Sequence, residues 1–255
     1  MSLSRRIHSI FVQFGLDPLK ALNSARGIPF FFKDLHRYRQ LAKGNADAMA
    51  VSEFFPILSD RFASNGNLDP HYFYQDLWAA RKIYNNNPSR HVDIGSSVAT
   101  FVSHLLSFRA VEIVDVRPLP LAIDGLTTTV TDATHMTGYE DSSLESISTL
   151  HAAEHFGLGR YGDPVHPTAH LTFMRALARV LKPQGRLYFS VPCGVEQLVF
   201  NAHRIFAVET VLKGFEDLKL VSFSCVTDDH KFHPDCDLAT VGNERYGCGM
   251  FEFSK

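Results

Sequence analysis

The chain has 255 residues, 45% hydrophobic and 20% charged, and its 25 Lys and Arg against 27 Asp and Glu give a formal net charge of −2. That length holds a full hydrophobic core and favours one catalytic-size domain with an N-terminal extension over two equal domains. The near-neutral balance, spread along the chain without basic clusters, argues against nucleic acid or an anionic membrane surface as the primary partner and suits a small neutral or weakly charged molecule.

The first segment, Ser4–Val12, is basic and then apolar, but its apolar run is shorter than a signal-peptide core and far short of a membrane span. It reads as a surface or docking helix. Residues 1–67 form a helical N-terminal extension, in which the apolar clusters Pro29–Phe32 and Phe54–Ile57 stand between polar helical pieces and the loops Lys43–Asp47 and Ser64–Asn67 separate and close them. Phe30, Phe31 and Phe32 would serve equally as a lid or as the contact of a homo-oligomer.

Residues 68–255 read as an α/β domain. Asp69 and Pro70 supply an N-cap and a first helical position, opening a helix with Phe73, Leu77, Ala80 and Tyr84 on one side. His91–Thr100 then runs an apolar strand into Asp93, Gly95 and a turn of small residues, and the following helix keeps Val98, Phe101, Val102 and Leu105 on one face. Strand, small-residue turn and helix are the first unit of an open α/β sheet, whose helix N-terminus offers unpaired N–H groups to a ligand. A second strand, Ala110–Val114, ends in Asp115, about twenty residues past Gly95, where nucleotide-binding sheets place the carboxylate that receives ribose hydroxyls; the competing reading is a structural salt bridge. A third, Leu126–Thr131, ends in Asp132 and Ala133. Only Gly95 of a dinucleotide fingerprint is present, with Ser97 and Ala99 in the later places, so a pyrophosphate fits poorly and a nicotinamide oxidoreductase is disfavoured.

Ser146–Leu150 reads as strand four, followed by His151–Phe156. Asp163 and Pro164 read as the N-cap and first position of a long helix carrying Leu171, Met174, Leu177, Ala178 and Leu181, with Gly157, Gly159 and Gly162 shaping the loop before it, a loop long enough to gate a substrate. Lys182–Gly185 stops that helix and Arg186–Pro192 supplies strand five. Leu218–Val226 and Tyr246–Phe253 are the late strands, and the Asp- and His-rich stretch Asp228–Asp237 between them reads as a solvated turn, so no metal site is assigned to it. Cys193, Cys225, Cys236 and Cys248 make no C-x-x-C pair, which points to reduced thiols and a cytoplasmic protein.

From strand one to strand five these motifs resemble the class I S-adenosylmethionine (SAM)-dependent methyltransferases, over roughly the last two-thirds of the chain. More narrowly, Phe73–Arg81, His151–Pro164 and Phe200–Phe206 look like a methyltransferase-like family described as a Caenorhabditis-type domain of unknown function. The resemblance implies a three-layer α/β/α sandwich around a Rossmann-like, mostly parallel sheet of seven strands in the order 3-2-1-4-5-7-6, the last antiparallel. It implies SAM as cofactor and S-adenosylhomocysteine as product. Asp93 and Gly95, with Ser96 and Ser97 in the same turn, would face the methionine part, Asp115 the ribose, and Asp132 with Ala133 the adenine.

The expected activity is transfer of a methyl group to a small-molecule acceptor, at an oxygen of a sugar or other hydroxylated metabolite. Oxygen acceptors need a base, and a histidine has a pKa near neutral pH. His151 is the first candidate for base or acceptor-orienting group, His155 the second, and Arg204 the anchor for a substrate oxygen or carboxylate; each has a purely structural alternative, Arg204 as a brace for the loop after strand five. A competing reading is a zinc-dependent hydrolase, because His151, Glu154 and His155 spell the H-x-x-E-H pattern of a zinc peptidase class, provided that they lie on a helix. A SAM-binding or interaction module without turnover is the non-enzymatic alternative.

Overall fold

The computed structural model describes residues 10–64 and 68–255. Most of the basic–apolar start, Ser4–Val12, and of the closing loop Ser64–Asn67 lies outside the described residues. The chain forms two compact units, Met1–Asn67 and Leu68–Lys255.

The first unit is built on helix α1, Pro18–Ala42, capped by the Asp17 carboxylate, which accepts from the Lys20 N–H at 3.0 Å. The Pro29–Phe32 cluster lies inside this one continuous helix, not between helical pieces as expected. Lacking an N–H, Pro29 costs one helical hydrogen bond, which the turns on either side tolerate. Gly27 is the buried point of the helix: a Cβ there would stand 2.1 Å from the Leu58 carbonyl oxygen, so the later chain can lie against the helix only over a glycine. Arg61 pairs with Asp34 and lies over the Phe30 ring at 4.6 Å, and Arg26 over Phe62 at 4.7 Å.

The second unit opens with helix α2, Pro70–Asn86, whose first turn is fixed by Asp69 accepting from the His71 N–H at 2.9 Å and by Pro70 at its start. Its buried face is His71, Gln75, Trp78, Ala79 and Ile83; Phe73 and Tyr84, expected on one side with Leu77 and Ala80, are exposed. Gln75 on that face bonds to Ser190 of the sheet, and Lys82 beside it pairs with Glu252 at 2.8 Å.

Eight strands form the main sheet in the order β3-β2-β1-β4-β5-β10-β8-β9. β1 (Val92–Ile94), β2 (Val111–Asp115), β3 (Leu126–Val130), β4 (Leu144–Leu150) and β5 (Leu181–Cys193) are parallel, and β10 (Gly247–Ser254) runs antiparallel between β5 and β8 (Lys219–Val226). The chain therefore has a Rossmann-like methyltransferase sheet with the strand order 3-2-1-4-5-7-6, plus one further edge strand. That strand, β9 (Phe232–His233), exists because Thr227 reverses the chain by bonding its N–H to the Lys231 carbonyl at 3.0 Å, bringing Phe232 and His233 back onto Val226 and Cys225. Asp228 spends its carboxylate on the N–H groups of Arg245 and Tyr246, both at 2.9 Å, so the Asp-rich stretch is a turn and a brace.

One face of the sheet is covered by α2 and by a widened π-type turn, Val98–Val102, that runs into the short helix α3, Ser103–Leu106. Trp78, Ile83, Phe101 and Leu105 pack there on Ile113, Leu150 and Tyr188. The other face is covered by α4, Ala169–Val180, and α5, Val208–Gly214, with Phe173, Met174 and Leu177 against Ile147, Leu187 and Phe189. Each such fully buried side chain is worth about 1.5 to 3 kcal/mol of transfer free energy. A separate hairpin pairs β6 (Gln197–Val199) with β7 (His203–Ile205).

α4 begins at Ala169, not at Asp163 and Pro164. Asp163 turns its carboxylate back along the chain instead, accepting from the N–H groups of Gly157 at 2.8 Å, Tyr161 at 3.2 Å and Gly159 at 3.3 Å. Gly157, Gly159 and Gly162 all hold positive φ, as their loop-shaping role requires.

Candidate active site at the carboxyl edge of the sheet

The strand order reverses between β1 and β4, and in open α/β sheets the crevice at that switch point is where ligands bind. A cleft of about 560 Å³, partly open to solvent, lies there, lined by Gly95, Asp115, Asp132, Ala133, His151 and His155 among others. A second cleft of about 550 Å³ takes in Asp93 and Ser96 and shares Gly95, Val114, Asp115 and Arg117 with the first. Six of the seven residues read from the sequence as cofactor contacts thus line one cleft or the other. Ser97 lines neither: its carbonyl accepts from Phe101 and Val102 at 3.0 and 3.1 Å and starts the π-type turn.

Each carboxylate at this edge is already engaged. Asp93 is buried, and accepts from the Ser96 hydroxyl and the Ser148 hydroxyl, both at 2.6 Å, and from the Ser96 N–H at 3.2 Å. Burial pushes its carboxyl up to about 6, against the opposing pull of those hydrogen bonds. Ser96 in turn accepts from the Leu150 N–H at 2.9 Å, tying the turn after β1 to the end of β4. Asp115 forms a two-pronged pair with Arg117, 2.9 Å to Nε and 2.7 Å to a terminal nitrogen, and accepts from the Arg117 N–H at 2.8 Å. Burial raises the Asp115 pKa, but the Arg117 contacts outweigh it and hold the carboxyl below its ordinary value. Asp132 accepts from the Thr134 N–H and hydroxyl at 2.8 and 2.6 Å, which presents Ala133 to the cleft.

Gly95 holds φ at +69°, and a Cβ on it would stand 3.1 Å from the Ala152 Cβ. The backbone here is bare where a ligand would approach it. Arg117 lies 4.5 Å from the Tyr161 ring centre, so the loop after the short turn Ala153–His155 reaches across from β4 to the residues that follow β2.

The far end of the cleft is different. His151 is buried at φ +51°, and neither ring nitrogen has a hydrogen-bond partner among the described residues. Its ring meets Tyr72 at 5.2 Å and His71 at 5.5 Å, both edge to face. Burial drives its pKa well below 6.5, leaving a neutral imidazole. His155 directs Nδ1 at the Ala202 carbonyl, 2.8 Å away; a carbonyl can only accept, so Nδ1 carries the proton and Nε2 the lone pair. Burial lowers the His155 pKa to about 4. Glu154, the carboxylate of the H-x-x-E-H string, is buried with Oε2 unpartnered among the described residues, and burial pushes its carboxyl up to about 8.

Two expectations are corrected. Arg204 does not line the cleft: its guanidinium donates to the carbonyls of Phe156 at 2.7 Å, Glu154 at 3.2 Å and Pro167 at 3.3 Å, so it braces the loop after β4 in place of anchoring substrate. The H-x-x-E-H string is not helical. Only a three-residue 3₁₀ turn, Ala153–His155, forms there, because β4 runs to Leu150 and Gly157 breaks the chain after Phe156, so the two histidines do not share a helical face. The residues missed from the sequence are His71 and Tyr72 in the first turn of α2 and Tyr246 and Cys248 around the start of β10. Topology held a signal for them: a helix leading into β1, and a strand antiparallel to β5, both begin at the edge where the parallel strands end.

Residues 126–231 match a family model described as Caenorhabditis protein of unknown function, DUF268. No curated protein matches the chain. Among solved structures, the chain is similar to the Burkholderia thailandensis 1,6-didemethyltoxoflavin-N1-methyltransferase with bound 1,6-didemethyltoxoflavin and S-adenosylhomocysteine, at 14% identity and a TM-score of 0.51, over 83% of this chain and 97% of that one. It is similar to the YcgJ protein of Bacillus subtilis at 12% identity and a TM-score of 0.51, over 72% and 98% of the two chains. It is also similar to the [4+2]-cyclase SpnF at 13% identity and a TM-score of 0.52, over 72% and 80%. The fold is that of the class I SAM-dependent methyltransferases.

Proposed function

We propose that this protein transfers a methyl group from SAM to a small-molecule acceptor, at an oxygen of a sugar or other hydroxylated metabolite, and releases S-adenosylhomocysteine. The observation that carries the reading is the cleft at the switch point, which bare backbone at Gly95 and the small residues Ala133 and Ala152 line together with Asp115 and Asp132. These residues fit an adenosine with a sulfonium tail: two carboxylates for hydroxyls and amine, and a single glycine in place of the several a pyrophosphate needs. The Burkholderia N1-methyltransferase of similar fold holds S-adenosylhomocysteine and 1,6-didemethyltoxoflavin, which supports the cofactor; the oxygen acceptor rests on the histidines of this cleft alone.

In this reading Asp115 takes the ribose hydroxyls, Asp132 with Ala133 borders the adenine, and Gly95 with Ser96 and Asp93 borders the methionine end. When bound, SAM supplies an electrophilic methyl on a positively charged sulfur. Ala152, Phe156 and Tyr161 wall the cleft. His151, in the wall of the cleft, orients the acceptor oxygen or receives its proton; His155, whose Nε2 lies 3.5 Å from the Arg160 guanidinium, is the second candidate. The protein acts in a reducing, cytoplasmic setting, in keeping with its free cysteines. No helix among the described residues is long and apolar enough to cross a membrane.

Calorimetry with S-adenosylhomocysteine tests the cofactor half: micromolar binding is expected for the full chain and loss of binding for Gly95→Val, which fills the cleft. A methyl-release assay against pooled cell metabolites tests turnover. Binding with no methylated product in any pool would leave a silent cofactor-binding module.

A further inference from the structure

Three ligand-type side chains from three elements of the second unit meet beside the cleft. His71 comes from the first turn of α2, His151 from the turn after β4 and Cys248 from β10, and one donor atom of each lies within 4.8 Å of the other two. All three are buried, His71 and His151 at 6% exposure and Cys248 at 0%. His151 brings two ring nitrogens with no partner among the described residues. Buried polar atoms without partners are rare and costly, and one aimed at a second imidazole and a thiol calls for a ligand. The surroundings hold the donors in place. The His71 ring stacks on Tyr246 at 5.2 Å, Tyr72 closes on His151 at 5.2 Å, and the His151 N–H is pinned to the Ser190 carbonyl at 2.9 Å.

We propose that His71, His151 and Cys248 bind one zinc ion. Two imidazoles and a thiolate are borderline-to-soft donors, which suit zinc and repel the oxygen-seeking Mg²⁺ and Ca²⁺. Tetrahedral zinc, with bonds of about 2.0 to 2.3 Å, sets its donor atoms roughly 3.3 to 3.6 Å apart, so small side-chain rotations close the set. Three protein ligands are the pattern of a zinc site that keeps a fourth position open. His155 is no member, since its Nδ1 is held by Ala202. The site thus keeps one histidine of the H-x-x-E-H string and takes its other two ligands from elsewhere in the chain. Because His151 is at once ligand and cleft wall, the fourth position would be a place for the acceptor's oxygen, and a metal-bound His151 would orient the acceptor without taking its proton. That last consequence rests on the methyl-transfer reading; zinc binding does not.

The test is metal reconstitution of the full chain after chelator treatment. One equivalent of zinc is expected, and one of cobalt(II), with tetrahedral visible bands and a thiolate-to-cobalt charge-transfer band. In Cys248→Ser the charge-transfer band disappears and zinc affinity falls at least 100-fold; His71→Gln also loses stoichiometric metal. Wild-type protein that takes up no stoichiometric cobalt, or a charge-transfer band unchanged in Cys248→Ser, overturns the site. If the variants do not fold, wild type decides alone: zinc raises the melting temperature of the stripped protein, and no shift with no cobalt spectrum overturns the site. Titrating S-adenosylhomocysteine into the same samples separates the two readings. Nucleoside binding without metal sinks only the zinc site, and metal binding without the nucleoside sinks only the cofactor assignment.

Discussion

The tips of β1, β2 and β3 and the turn after β4 border the same cleft but treat their polar groups in opposite ways. At the strand tips Asp93, Asp115 and Asp132 are each satisfied by neighbours two or three residues on, with Ser148 of the adjoining strand completing Asp93. In the turn after β4, His151 and the Oε2 of Glu154 are buried with no partner among the described residues. An unmet buried polar group costs about 1 to 3 kcal/mol, so the second region is held in a state that a ligand would relieve. The first is stiff before any ligand arrives, and a ligand there must compete with what already occupies the carboxylates.

The sharpest break of this comparison is at Asp115. If its carboxylate binds ribose hydroxyls despite Arg117, Asp115→Ala removes hydrogen bonds to a charged group, worth about 1.5 to 3 kcal/mol. Affinity for S-adenosylhomocysteine measured by calorimetry should fall about 10- to 100-fold. Unchanged affinity would mean that the Asp115–Arg117 pair is only structural.

Asp93 tests whether the stiff region is bought with a buried charge. Its folded pKa of about 6 lies above the ordinary 3.8, so the folded state holds the proton more tightly than the unfolded chain. The group therefore contributes stability below about pH 4 that is lost as pH rises through 6. Denaturant unfolding of wild type and Asp93→Asn at pH 5 and pH 8 should show the wild type losing on the order of 1.5 kcal/mol relative to the variant between those pH values. A difference that stays flat would mean that water reaches the carboxylate.

What the sequence disclosed follows the same divide. The Asp69 and Pro70 start of α2 and the strand and turn at Val92–Gly95 are set by contacts close along the chain, and they were legible; the strand order was implied by the resemblance, and Lys182–Gly185, expected as the stop before strand five, lies inside β5. Asp163 was misread because a carboxylate can bond to N–H groups on either side of it, and here it reaches back to Gly157. The face of α2 was misread because Trp78 and Ile83 meet strands far along the chain, so the helix's own apolar residues did not say which side would be covered. Arg204 was misread because three carbonyl partners come from a loop about forty to fifty residues away, a kind of contact that leaves no local pattern. His71 and Cys248 carry no spacing signal with His151, since each comes from a different element.

The smallest expected effect separates stiffness from competition. Arg117 lines both clefts and holds Asp115 by three hydrogen bonds. Arg117→Ala removes the two side-chain bonds and keeps the backbone one, freeing most of the carboxylate and joining the two clefts. If Arg117 competes with ribose, S-adenosylhomocysteine should bind a few-fold tighter, since an exposed ion pair is worth about 1 kcal/mol or less. If Arg117 instead aims the carboxylate, its loss lets Asp115 rotate and affinity falls, because a hydrogen-bond acceptor held in one rotamer loses less entropy on binding than a free one. The sign of that change in the calorimeter, not its size, tells whether the ordered strand tips assist the cofactor or must yield to it.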